Sequence, residues 1–186
     1  MSEEPETIHF PTQAAFEAWL EEHVDHQPGV WLKLARSGSG IPSLTSDEAV
    51  ESGLCFGWIS GLRRALDEQF YLQTYVPRRP RSRWSQVNVR KVEELTRVGR
   101  MRPSGQAEVD AAKADGRWDA AYESQRDATV PDDLSAALAA HPRAAQAFDA
   151  RSRTGRYAVI HDLLTARTPQ TRVAHLQQAI ARLERE

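Results

Sequence analysis

Trp58-Ile59-Ser60-Gly61-Leu62-Arg63-Arg64-Ala65-Leu66-Asp67-Glu68-Gln69-Phe70-Tyr71-Leu72-Gln73-Thr74-Tyr75-Val76 decides the fold class of this chain. Phe70–Val76 is aromatic and β-branched, which suits a strand. Trp58-Ile59-Ser60 reads as a second strand joined to Leu62–Leu66. Asp67-Glu68-Gln69 is a plausible tight connection between the two, giving a hairpin. The stretch has no room for a crossover helix, so continuous βαβ units are disfavoured and antiparallel pairing is expected. Pro77 and Pro80 stop the second strand from continuing as an interior ladder.

Upstream, Thr45 and Glu48 fit a capping box, so Ser46–Gly53 is expected to be a short helix entering Leu54-Cys55-Phe56. Val30–Ala35 alternates, with Val30, Leu32 and Leu34 on one side and Trp31, Lys33 and Ala35 on the other. Ser37-Gly38-Ser39-Gly40 reads as a flexible turn or loop. Phe16, Trp19 and Leu20 share a helical face that Thr12 can cap. Downstream, Ser82 can cap a helix carrying Trp84, Asn88, Lys91, Leu95 and Val98, ended by Gly99. Further helices are expected over Pro103–Lys113, from Pro131, from Pro142, over Tyr157–Ala166 and from Thr168-Pro169. The last has Val173, Leu176, Ile180 and Leu183 as its apolar stripe.

The expected architecture is therefore α+β: a small antiparallel sheet with packed helices in the first half, followed by an all-helical C-terminal part. Residues 1–115 are assigned to the α+β domain and residues 130–186 to the helical region. Residues 116–129, the weakest stretch for regular structure, are assigned to a linker.

Composition narrows the class of protein. Apolar residues at 40% suffice for a core. No apolar run is long enough to cross a bilayer, and Met1–Glu6 is acidic and unlike a signal peptide, so a cytoplasmic location without membrane insertion is the expectation. The single cysteine, Cys55, agrees with a reducing compartment. One thiol and six scattered histidines offer no metal-ligand spacing, and no cofactor is expected.

Charge is distributed unevenly. Eleven of the 24 Lys and Arg residues lie in Ser60–Arg102 against four carboxylates, although the whole chain has a net charge of −2. The densest part is Pro77-Arg78-Arg79-Pro80-Arg81-Ser82-Arg83-Trp84. Guanidinium forks held by prolines suit a small organic anion or a phosphorylated ligand. The alternative partner for these arginines is the acidic N-terminal segment. Residues expected to touch a ligand are Lys33, Trp58, Ser60, Arg78, Arg79, Arg81, Trp84 and Asn88. Trp84 as a helix anchor, Asn88 as a loop cap, and Trp58 with Ser60 as core aromatic and edge hydroxyl are the competing structural roles.

No catalytic set stands beside the basic cluster. An enzyme would need Cys55, Asp67, Lys33 or Ser60 to converge in one pocket. Cys55, between Leu54 and Phe56, reads first as a small buried hydrophobe, and Asp67 first as a turn residue. Arg151, Arg153, Arg156 and Tyr157 form a second basic patch. Nucleic acid ranks last among the readings, because the pI near 6.3 and the acidic N-terminal segment oppose it.

Leu54-Cys55-Phe56-Gly57-Trp58-Ile59 opens a series of blocks that resembles the YdeI/OmpD-associated, or bacteriocin-protection, family. The series runs through Leu66-Asp67, Tyr71-Leu72-Gln73, Pro77–Pro80, Ser82–Ser85, Asn88 and Gly99-Arg100-Met101. It continues through Ala112–Trp118, Arg156-Tyr157 and Thr168-Pro169-Gln170-Thr171-Arg172. The resemblance implies a small cytoplasmic bacterial protein of the uncharacterised kind, with a stress or envelope-protection role as the expectation; the family name comes from genetic associations and carries no reaction, cofactor or catalytic set. Ser60 stands where the family usually has aspartate, and His175 where its tails often have arginine.

Overall fold

A computed structural model describes residues 5–26, 28–123, 128–166 and 168–186. The described chain falls into two compact units, residues 1–121 and 122–186. Residues 124–127 of the expected linker, and Met1–Glu4 of the acidic N-terminus, lie outside the described residues.

The first unit is α+β. Strands β1 (Glu6–Ile8), β2 (Val30–Ala35), β3 (Trp58–Ala65) and β4 (Phe70–Pro77) form one sheet in the order β1-β2-β4-β3. The β3–β4 hairpin forms as the sequence indicates, and β2 pairs antiparallel with β4. The sheet is mixed, however, because β1 runs parallel to β2 and reaches it through helix α1 (Gln13–Glu22). A βαβ unit thus exists upstream of the hairpin. Three residues are too few to show a period of two, which hides β1 from a pattern reading.

Alternation puts Val30, Leu32 and Leu34, all essentially inaccessible, on the face that packs against helices. Phe16 and Leu20 of α1 meet this face, with Trp58, Tyr75 and Phe56 completing the core. Burying each such side chain contributes about 1.5–3 kcal/mol. Helix α2 is longer than expected, spanning Ser46–Phe56, because Leu54, Cys55 and Phe56 continue its buried face. It stops at Gly57, which adopts the left-handed conformation at φ 81°.

Helices α3 (Gln86–Arg97) and α4 (Pro103–Ala114) complete the first unit. The cap of α3 is Ser85 rather than Ser82, so Trp84 precedes the helix instead of lying on its face. Ser82 closes a turn instead: its backbone N–H donates to Arg79 O, and its hydroxyl accepts from Arg79 N. Trp118 and Ala121 pack against the first core, so residues 116–121 of the expected linker sit on this unit.

The second unit contains α5 (Asp132–Ala140), α6 (Pro142–Ala150), α7 (Arg153–Leu164) and α8 (Pro169–Leu183). Its own core joins Leu134, Phe148, Val159, Ile160, Leu163, Ile180 and Leu183. Helix α7 starts four residues before the expected Tyr157, because Ser152 caps it by accepting from Gly155 N. Val173 is 54% exposed and does not share the α8 stripe with Ile180 and Leu183. Among the described residues no helix is long and apolar enough to cross a membrane.

Candidate functional site

Three strand ends meet at one end of the sheet: β2 and β3 finish there, at Ala35 and Ala65, and β4 begins at Phe70. The chain from Arg36 to Thr45 loops out of this end before entering α2. Between loop and hairpin lies a cavity of about 690 Å³, lined among others by Arg36, Ser37, Ser39, Ser46, Arg63, Arg64 and Tyr71. That volume is in the range of small-ligand sites. Gly38 and Gly40 take φ values of 84° and 73°, and a Cβ at either would meet nothing within 4 Å. Glycine is favoured there by backbone conformation, not crowding.

Each arginine reaches the cavity by a different route. Arg63 and Arg64 are neighbours on β3, so their side chains leave on opposite faces. Arg63 faces the helices: Nε donates to Gln73 Oε1 at 2.7 Å and Nη2 to Ser46 Oγ at 2.9 Å. Its guanidinium lies 4.6 Å from the centroid of the Tyr71 ring. Gln73, only 6% exposed, is fixed in turn by donating to Gly61 O and Leu62 O. These bonds hold Arg63 as a preset fork.

Arg64 faces the other way and lies 4.5 Å from the Trp31 ring centroid. Arg36 follows β2 directly; its N–H pairs with Gln69 O, and its Nε donates to Asp67 O at 3.3 Å. The register shift between Ser60 and Arg63 bends β3 here, and a side chain at Gly61 would come within 2.6 Å of Thr74 Oγ1.

Among the described residues none of these three guanidiniums has a carboxylate within salt-bridge distance. Cations elsewhere in the unit do. Arg100 bonds both Glu51 and Glu17 at 2.8 Å, Lys91 sits 3.5 Å from Glu51, and Arg102 3.6 Å from Glu21. The acidic N-terminal segment is thus answered in part by α3 and the residues after it. The α2 N-terminus adds little pull on an anion. Its Glu48 already accepts from Thr45 N and Thr45 Oγ1, and these bonds hold its carboxyl below the ordinary range. The positive charge at this cavity comes from the three arginines.

The residues singled out from the sequence lie elsewhere. Arg78 is 5% exposed, with its guanidinium 3.6 Å from the Trp84 ring centroid and Nη1 donating to Arg83 O. Trp84 is 1% exposed and packs on Trp118, so it anchors the loop and presents no ring to a ligand. Arg79 and Arg81 are exposed. Arg81 takes φ 74° after Pro80, as the third residue of a type II turn closed by the Ser82 N–H on Arg79 O. Asn88 sits in the first turn of α3, its N–H donating to Ser85 Oγ.

Trp58 is also core: it is 1% exposed, and its Nε1–H donates to Val24 O. Ser60 is exposed on the edge strand and outside the cavity. Lys33 lies on the far face of the sheet with Nζ 4.1 Å from the Phe70 ring centroid. The residues an enzyme reading would need do not converge. Cys55 is buried at 2% on the helical side of the sheet, and burial pushes its thiol up to about 11. Asp67 is exposed in the hairpin turn, where Oδ1 accepts from Gln69 N and Phe70 N.

The cavity residues were missed because Arg36, Arg63 and Arg64 are less conspicuous than the arginine–proline run. The available signal was a strand, a Ser-Gly-Ser-Gly loop and a capped helix flanked by Arg36, facing a hairpin with two arginines.

No curated protein and no solved structure matches the chain. Residues 8–108, more than half of the chain and all of the cavity, match the family described as Domain of unknown function (DUF8412). Residues 127–186 match the family described as Bacteriocin-protection, YdeI or OmpD-Associated. Of the blocks that carry the resemblance, Arg156-Tyr157 and Thr168–Arg172 fall in the second match, and those from Leu54 to Met101 in the first. The chain therefore belongs to the family Domain of unknown function (DUF8412), and its C-terminal residues are similar to the Bacteriocin-protection, YdeI or OmpD-Associated family.

Proposed function

We propose that the protein binds a small organic anion or phosphorylated ligand without transforming it, and that the ligand sits in the cavity of Arg36, Arg63 and Arg64. The observation that carries this reading is that three arginines, none facing a carboxylate of the described residues, line one cavity of about 690 Å³. Positive groups that line one cavity are stabilised there by a charge of opposite sign. Arg63 supplies the preset donor, and Arg36 and Arg64 close from either side. A non-catalytic role agrees with the separation of Cys55 from Asp67 and Lys33. A cytoplasmic location agrees with the free, buried Cys55. A stress or envelope-protection role is part of the same proposal, and the family that the C-terminal part matches is described only as Bacteriocin-protection, YdeI or OmpD-Associated.

The test is calorimetric titration of the full chain with inorganic phosphate and a panel of phosphomonoesters and carboxylates. Each charge-assisted fork contributes about 1.5–3 kcal/mol, so Arg63→Gln and Arg36→Gln should each weaken binding tenfold or more. An Arg79→Gln/Arg81→Gln variant should leave it unchanged. Binding that survives the first two and is lost in the third would move the site to the exposed loop and refute the assignment.

A further inference from the structure

We propose that the anion bound in this cavity carries a planar ring, as a nucleoside phosphate does, and that the Trp31–Arg64 pair receives that ring; this rests on the anion site proposed above. Arg64 belongs to two surfaces at once. It lines the cavity, and its guanidinium lies 4.5 Å from the Trp31 ring centroid. Trp31 is half-buried on the sheet face opposite the main core, across from Thr74.

That face has an apolar strip of its own. Leu72 is 3% exposed yet stands outside the main core cluster, and the flanking Trp31 and Phe70 are each covered by a cation, Arg64 and Lys33. An aromatic strip roofed by cations therefore begins at the wall of the anion cavity. A bare anion has no use for the strip. A ring joined to an anionic group can use both, stacking on the free face of the Arg64 guanidinium or on Trp31 once Arg64 turns to the anion.

The dimensions agree. Trp31 lies four residues before Ala35, which lines the cavity, about 13 Å along an extended strand. Arg64 spans that interval, lining the cavity while its guanidinium lies at Trp31, so a ring joined through a sugar to an anion beside Arg64 reaches the pair. The charge agrees as well: Lys33 and Arg64 favour an anionic molecule along the whole strip.

The experiment compares adenosine 5′-monophosphate with ribose 5-phosphate, which has the same anion and sugar but no ring, by calorimetry and tryptophan fluorescence on the full chain. The ring should tighten binding at least about fivefold, the lower end of what one stacked base contributes. Trp31→Leu should erase that difference and leave ribose 5-phosphate affinity unchanged, while Trp31→Tyr, which keeps a stacking ring, should retain it. Circular dichroism and a thermal melt establish that both variants are folded. Equal affinities for the two probes in the unaltered protein would overturn the ring assignment and leave the anion site standing. So would an equal loss of both probes in Trp31→Leu. If neither probe nor inorganic phosphate binds, the anion site falls and this inference with it.

Discussion

Gly105→Ala should destabilise the first unit, although helix propensity alone gives the opposite sign. Gly105 lies in the first turn of α4, where alanine would improve intrinsic helix stability by at most about 1 kcal/mol. Its α-carbon faces the end of α2. A Cβ there would stand 2.1 Å from Cys55 O, 2.6 Å from Cys55 C and 2.7 Å from Leu54 O. All three are backbone atoms, so no rotamer change relieves the overlap, and α4 must withdraw by roughly 1 Å to restore an ordinary contact. The withdrawal would loosen Val109 and Ala112, which are 2% and 0% exposed. It would also stretch the 3.0 Å bond from Arg102 N–H to Cys55 O. Overpacking of this kind costs about 1–3 kcal/mol and a weakened hydrogen bond about 1. After the propensity gain the net loss is about 1–3 kcal/mol, or at least about 4 °C in Tm for a unit of this size. Urea unfolding followed by tryptophan fluorescence measures it. A midpoint equal to or above that of the unaltered protein would show that α4 does not seat on the Cys55 carbonyl, and the packing described for this unit would be wrong.

Two further outcomes concern titratable groups. With the folded Cys55 thiol near 11 and an unfolded thiol near 8.5–9, the folded state holds the proton over the higher range. Stability should therefore fall as pH rises from about 9 to about 11, by up to roughly 2–3 kcal/mol, and Cys55→Ala should remove that part of the slope in urea melts. Native Cys55 should also resist a thiol reagent at pH 8; rapid modification without unfolding would contradict its burial. In the second unit, Arg172 donates from Nε and Nη2 to Asp133 at 2.7 and 2.9 Å and from Nη1 to Leu163 O. The Arg172 bond is the main cause holding the Asp133 carboxyl below its ordinary range. Its contribution is complete above the unfolded Asp value near 4 and is lost as pH falls through the lower folded value. Arg172→Ala should cost about 1 kcal/mol given the partial exposure of the pair, and Arg172→Lys should not restore it, because an ammonium cannot serve the carboxylate fork and the carbonyl together. Equal stability of the lysine variant and the unaltered protein would refute this role.

Periodicity revealed β2 and α1, whose buried faces are long enough to repeat, while strand-forming composition revealed the hairpin and prolines marked the starts of several tail helices. It failed at β1, whose three residues gain their strand character from pairing with β2. It also failed at the start of α3, where two serines could each act as a cap. Ser85 wins because Trp84 must first enter the core beside Trp118, and a helix begun at Ser82 would carry that indole round its own axis. The quoted family blocks mostly find structural work of this sort. Arg172 ties α8 to Asp133 and to the end of α7, and Gly57 stops α2 so that Trp58 can start β3.

The candidate site was the least visible feature, for a reason that separates composition from position. The arginine–proline run concentrates positive charge in sequence, but its turn sends Arg79 and Arg81 outward while Arg78 folds in over Trp84. Arg36 and the Arg63–Arg64 pair are separated by a loop, a helix and half a strand, and only closure of the sheet end brings them together. Local charge density selects arginines that share solvent, whereas recognition of one small anion needs arginines that share a cavity. That convergence comes from strand order: β4 sits between β2 and β3, so the exits of β2 and β3 flank the entry of β4. A sequence reading can place charges on strands, but it can place them in one cavity only once the order of those strands is known.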